Sequence, residues 1–179
     1  VQTTAPARPR RLLRVVAAFA VLSALAGYVA LQYVTGHQGS PRCVVRAAGA
    51  GDGSSYELSP EMAANAATIS AVGTTQGMPE RAVTIALATA LQESSLRNLD
   101  HGDRDSLGLF QQRPSQGWGT PAQIMDPVYA AGAFYTHLAK VPGYAGLPLT
   151  EAAQRVQKSA FPEAYAKHEP DAALLSAAL

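Results

Sequence analysis

The chain has 179 residues, room for one domain and an appendage, with 47% hydrophobic residues, 15% charged residues and a net charge of +1. That net charge conceals an asymmetry: Arg8, Arg10, Arg11 and Arg14 precede the first acidic residue, Asp52, while residues from 35 onward carry ten basic against thirteen acidic side chains, close to −3. A mildly acidic body lacks the basic footprint of a nucleic-acid binder, so no nucleic-acid partner is expected, and the basic N-terminus suits a membrane surface better.

Residues 1–14 read as a basic cytoplasmic tail. Val15 to Val34 is a run of twenty residues without a formal charge, interrupted only by Ser23 and Gln32. At about 1.5 Å per residue, such a helix crosses the roughly 30 Å hydrocarbon layer. Arginines flanking it at the N-terminal end stay inside, which puts everything after residue 35 outside the cell. The expectation is a single-pass anchor over residues 15–34 in the cell membrane. Alternatively, Ala24-Leu25-Ala26 is the cleavage site of a signal peptide and the body is secreted. One span with so little polarity forms no transport path by itself. Cys43 is the only cysteine, so no intramolecular disulfide is available, and Ser40-Pro41-Arg42 does not resemble a lipoprotein processing box.

Residues 35–58 form a Gly- and Ser-rich linker in which Gly49 to Ser55 reads as a turn or flexible loop. Arg42 to Arg46 and Ser55 to Leu58 within it suit short strands. Helical periodicity begins at residue 59. Ser59-Pro60-Glu61 combines a capping hydroxyl, a proline where no N–H is needed and an acid at the positive helix end. Met62, Ala66, Ile69 and Val72 follow at helical spacing, with Gly73 and Gly77 closing the segment. Met78-Pro79-Glu80 opens the next helix, whose face of Ala82, Val83, Ala86, Ala90 and Leu91 predicts burial and an end near Gln92-Glu93-Ser94.

Residues 97 to 119 are a polar interruption containing the short apolar run Leu107-Gly108-Leu109-Phe110. Thr120-Pro121-Ala122-Gln123 is a capping box. Asp126-Pro127 starts a helix with Val128, Ala131, Phe134, Tyr135 and Leu138 on one stripe, and Thr150-Glu151 starts another carrying Ala153, Val156 and Ala160. Phe161-Pro162-Glu163 and Pro170-Asp171 restart short helices to the end. The expected fold is mainly α over residues 59–179, interrupted by one polar, partly extended insertion.

A carboxylate at the C-terminal end of a buried helix is unusual, because both the negative helix end and an apolar surround disfavour its ionised form. Glu93 is therefore expected to have a raised pKa, as suits a proton donor near neutral pH. An exposed last-turn glutamate is the commoner use of such a position.

Three stretches together resemble the lytic transglycosylase and goose-type lysozyme superfamily. They are Gln92-Glu93-Ser94-Ser95, then Gly108-Leu109-Phe110-Gln111-Gln112, then Met125-Asp126-Pro127-Val128-Tyr129-Ala130-Ala131-Gly132-Ala133-Phe134-Tyr135. The resemblance covers roughly residues 59 to 169. It implies a lysozyme-like α-helical domain with a small β insertion, the Gly-Leu-Phe-Gln motif lying on a strand of that insertion. It further implies peptidoglycan glycan strands as substrate, cleaved at the β-1,4 bond between N-acetylmuramic acid and N-acetylglucosamine, with no cofactor or metal. Glu93 would be the catalytic acid, then the base acting on the muramyl 6-hydroxyl if the product is a 1,6-anhydro sugar. Gln111 and Ser94 would belong to the sugar cleft.

Hydrolysis instead needs a second carboxylate or a positioned water. Asp100, Asp103 and Asp105 are the candidates, Asp105 first because it is nearest the Gly-Leu-Phe-Gln motif. The competing use of the three is to stabilise a solvated loop with Arg97 and Arg104. Their spacing lacks the glycine and glutamate of an EF-hand. Trp118 and Phe110 are either sugar platforms or buried aromatics.

The chain departs from the family near its end. The usual Ala-Tyr-Asn-Ala-Gly is replaced by the stretch Ser159 to His168, in which Tyr165 stands in for the motif tyrosine, which puts activity in doubt. A non-catalytic glycan-binding module on a membrane anchor is therefore the main alternative. The four histidines are scattered without zinc-site spacing, and no phosphate-binding glycine loop or nucleophile elbow is present.

Overall fold

The computed structural model describes residues 20–31, 41–46, 55–159 and 161–179. The chain divides into two compact units, one ending at Ser40 and the other running from Pro41 to Leu179. Of the first unit, residues 20–31 are helical (α1), with Val21, Leu22, Leu25 and Val29 exposed. The basic tail of residues 1–14, both ends of the expected 15–34 span, the turn at 49–54 and Ala160 lie outside the described residues. Among the described residues no helix is long and apolar enough to cross a membrane.

The second unit is mainly helical with a small two-stranded sheet. Strands β1 (Cys43–Arg46) and β2 (Ser55–Leu58) pair antiparallel, Cys43 opposite Leu58 and Arg46 opposite Ser55. Both fall where short strands were expected in the linker. Cys43 is exposed and its thiol is free.

Helix α2 (Pro60–Thr75) opens as its sequence dictates, the Ser59 hydroxyl accepting from the Met62 N–H at 3.2 Å. It does not stop at Gly73. That glycine lies inside the helix, where a Cβ would come within 2.8 Å of Tyr135 Oη, so its small size serves close helix packing and not termination. Helix α3 (Glu80–Ser94) is the central element. Every residue from Ala82 to Leu91 is buried, including Thr84 and Thr89, whose hydroxyls return to carbonyls one turn earlier within the helix.

Helix α4 (Pro121–Ile124) carries the complete capping box of Thr120 and Gln123. Helix α5 (Pro127–Leu138) is capped by Asp126, which accepts from the Val128 N–H. Ala131, Phe134, Tyr135 and Leu138 are buried as the stripe predicts, whereas Val128, in the first turn, is exposed. Helix α6 (Leu149–Gln157) begins one residue before Thr150 and buries Ala153 and Val156. A 3₁₀ segment, Pro162–His168, leads into α7 (Glu169–Ala178), which packs along α3 and against the sheet.

The expected β insertion after α3 is not there. Leu107 and Gln112 form an isolated antiparallel bridge, and Gly108 to Gln111 is a turn between them. The side chains explain this. Leu109 and Phe110 are adjacent and both fully buried, whereas a strand sends neighbours to opposite faces. Positive φ at Gly108 (75°) and Gln111 (48°) curls the chain back within four residues. The small sheet precedes the helical body instead.

Candidate active site

Glu93 sits one residue before the end of α3, half-buried, and the chain leaves that helix by a strained turn. Ser95 and Leu96 both adopt left-handed backbone, φ 54° and 58°. Such conformations cost non-glycine residues on the order of 1–3 kcal/mol each and persist only where surrounding structure over-determines them. Here the Ser95 and Leu96 N–H groups donate to the Leu91 and Ala90 carbonyls, the Asn65 amide donates to the Leu96 carbonyl at 2.8 Å, and the Leu96 side chain is fully buried. The segment that aims Glu93 is thus fixed from both sides of the fold.

The Gly108–Gln111 turn is keyed to the same place. Ser94 Oγ donates to the Leu109 carbonyl at 2.8 Å, and the Gln157 amide, at the end of α6, donates to the Phe110 carbonyl at 2.7 Å. The Gly108 N–H donates to the Leu99 carbonyl at 2.7 Å, and a Cβ on Gly108 would lie 2.6 Å from the Ile124 carbonyl oxygen. Only glycine satisfies both that approach and the positive φ. Gln111, next to emerge, donates its amide to the His101 and Gly108 carbonyls at 3.3 Å.

Tyr165, fully buried in the 3₁₀ segment, donates its hydroxyl to Glu93 Oε1 at 2.6 Å. Glu93 is pushed above the ordinary carboxylate range, chiefly by burial. The Tyr165 hydroxyl and the nearby Gln157 amide oppose that shift without cancelling it, because both stabilise the ionised form. Burial and the Glu93 charge both hold the Tyr165 phenol up, so it remains a donor.

A cavity of about 420 Å³ opens over Glu93, with Gln111, Trp118, Asp103, Lys158 and Phe161 in its wall. Of the residues expected at the site, Glu93, Gln111 and Trp118 line this cleft together and Tyr165 reaches it through Glu93. Three others do not. Phe110 is fully buried and stacks on Phe134 with ring centroids 4.8 Å apart, so it belongs to the core and offers sugars no platform. Ser94 is buried behind Glu93, bonded to two carbonyls, and positions the turn without facing the cavity. Asp105 accepts from Arg113 Nε at 2.6 Å and from the Ser115 N–H at 2.9 Å. The Ser115 bonds, followed by Arg113, hold its carboxyl well below the usual range, which makes it a loop clasp and a poor base. Asp103, by contrast, lines the cleft, with its side chain 94% exposed.

Gln157, Lys158 and Phe161 are the residues that reasoning from sequence missed. Phe161 is 74% exposed at the cleft edge, an apolar face of the sort a sugar ring covers. Its placement just before a proline that opens a helical turn was the only local signal. Among the described residues no group of three or more His, Cys, Asp or Glu side chains is placed to hold a metal ion.

No family model matches the chain, and no curated protein matches it. The site itself holds one desolvated carboxyl with a raised pKa, a phenolic donor on one of its oxygens, and an open cleft whose wall mixes amides and aromatics with Asp103, Arg104, Arg113 and Lys158.

Proposed function

We propose that the chain cleaves the β-1,4 bond between N-acetylmuramic acid and N-acetylglucosamine in peptidoglycan, with Glu93 as general acid and then base. The observation that carries this reading is the Glu93 carboxyl, raised in pKa by burial, bonded to Tyr165 and open to the cleft shared with Gln111. Burial favours the protonated form that gives its proton to the glycosidic oxygen as the bond breaks. Once that proton has left, the Tyr165 hydroxyl and Gln157 amide stabilise the resulting carboxylate. The carboxylate then removes the proton of the muramyl 6-hydroxyl as that oxygen closes on the anomeric carbon, which restores the acid.

This ring-closing outcome is favoured over hydrolysis by the state of the other carboxylates. Asp105 is occupied by Arg113 and Ser115, and Asp103, although on the cleft wall, is almost fully solvated and lies beside Arg104. Neither resembles the second carboxylate that flanks the bond in a two-carboxylate glycosidase. The reading is supported by Tyr165, whose hydroxyl reaches the acid despite the altered sequence around it.

The four N-terminal arginines and the uncharged run 15–34 support tethering of this activity to the cell membrane, with the C-terminal domain on the wall side. The test is fragment release from protein-free peptidoglycan by the full chain and by Glu93→Gln, with pelleting to score binding. Release by the wild type alone supports the proposal. Pelleting of both with release by neither establishes a glycan-binding module instead.

A further inference from the structure

Two side chains of one short segment reach the last turn of α3 together. The 3₁₀ run Pro162–His168 carries both Tyr165 and His168. With three residues per turn, side chains three apart in such a run eclipse one another, so both leave it on one face. Tyr165 gives its hydroxyl to Glu93 Oε1 at 2.6 Å. His168 places its Nε2 3.1 Å from Oε1 of Gln92, the residue just before the acid. An amide oxygen only accepts, so the imidazole is the donor of this bond.

The nature of the segment explains why a second contact matters. A 3₁₀ run of seven residues is long for its kind, and its backbone bonds have poorer geometry than those of an α-helix. No side chain caps its start, where Phe161 is exposed, and the Thr150 hydroxyl donating to the Pro162 carbonyl is its first anchor. The Tyr165 hydroxyl sits at the tip of a rigid ring, so any shift of the backbone beneath it is carried to the bond with Glu93. His168 anchors the far end. Burial holds its pKa below the ordinary histidine value, Lys167 adds to that and Asp171 opposes it, so near pH 7 the ring is neutral and has one N–H, which goes to Gln92. Just beyond, Glu169 pairs with Arg81 at 2.6 Å, which holds the start of α7 independently of His168.

We propose that His168 is a positioning residue: by bonding Gln92 it fixes the 3₁₀ segment against the end of α3 and so keeps the Tyr165 hydroxyl on Glu93. The inference rests on Glu93 being the acid of the site and is indifferent to which bond that acid breaks. Neighbouring residues of one helix, Gln92 and Glu93, thus receive neighbouring teeth of one segment, and the contact that faces away from the cleft sets the acidity of the one that faces it.

The test is the ionisation midpoint of Glu93, followed by nuclear magnetic resonance in the full chain, which needs no substrate. His168→Phe keeps a planar ring and removes the donor, and the Arg81–Glu169 pair keeps α7 in place. The Glu93 midpoint should rise by about half a pH unit, about threefold in the ionisation equilibrium, because the phenol that favours the ionised form is held in place for less of the time. His168→Gln, whose amide N–H stands where Nε2 stood, should restore the wild-type midpoint. In a Tyr165→Phe background, where no hydroxyl remains to be placed, His168→Phe should leave the midpoint unmoved, a non-additivity that a merely structural loosening does not produce. An unmoved midpoint in His168→Phe, a midpoint that His168→Gln does not restore, or an equal rise in both backgrounds overturns the proposal. Glycan cleavage by Glu93 stands if these midpoints fail, and the midpoints decide the role of His168 even if no glycan is cleaved.

Discussion

Replacing Tyr165 by phenylalanine isolates one hydrogen bond of the candidate site. Tyr165 is fully buried and its ring is retained in the variant, so the change removes little but the hydroxyl that donates to Glu93 Oε1 at 2.6 Å. Against an ionised carboxylate such a bond contributes about 1.5–3 kcal/mol, and against a neutral acid about 0.5–1.5 kcal/mol. The cost of the variant should therefore depend on pH. The folded pKa of Glu93 is already raised above its unfolded value, so the neutral form is the better tolerated one in the fold. Losing the donor raises it further. Stability measured by urea denaturation at pH 4, where the group is protonated, should fall by the smaller amount. At a pH above the midpoint found for Glu93 by titration, where the group is ionised, it should fall by the larger one. Direct titration of Glu93 by nuclear magnetic resonance should show its midpoint moving upward in the variant. An equal loss at both pH values with an unmoved midpoint would refute the coupling of the phenol to the acid.

Phe110, in the core, and Phe161, at the cleft edge, should behave oppositely. Phe110→Ala removes a fully buried ring stacked on Phe134 and should cost about 3–5 kcal/mol by chemical denaturation, whereas Phe161→Ala, at an exposed position, should leave stability within about 0.5 kcal/mol and weaken glycan binding. A stable Phe110→Ala would contradict its placement in the core. Asp105→Asn should lower the melting temperature at neutral pH by loosening its clasp on Arg113 and Ser115, yet leave glycan cleavage measurable. Because the Asp105 pKa is depressed in the fold, its contribution is present above the ordinary aspartate value and lost as pH falls, so wild type and variant should converge in acid. Abolished cleavage in a folded Asp105→Asn would return that residue to the catalytic machinery.

What could be read from sequence was what is local. Ser59, Thr120 and Asp126 cap their helices because capping needs only neighbours within a few residues. The end of α3 just after Glu93 follows from apolar periodicity running into Ser94-Ser95. At Gly108–Gln111 the chain turns where the family motif implies a strand, and the adjacent apolar pair Leu109-Phe110 breaks the alternation a half-buried strand requires. Phe110 and Trp118 were indistinguishable as aromatics in a polar stretch; the core partner Phe134, some twenty residues on, decides between them. Gln157 reaches the turn from 47 residues away, and Arg113 takes Asp105 across eight, distances over which side-chain pairing leaves no periodic trace. Gly73 shows the same limit, since its neighbour Tyr135 belongs to another helix.

The role given to Glu93 is tested most directly by the chain ends of the glycan fragments it releases. Protein-free peptidoglycan is incubated with the full chain and with Glu93→Gln, and the soluble fragments are weighed by mass spectrometry. Fragments ending in 1,6-anhydromuramic acid are expected from the wild type and none from the variant. Fragments with reducing ends would move the chemistry to hydrolysis with Glu93 still the acid; equal release by Glu93→Gln and wild type would contradict the central claim.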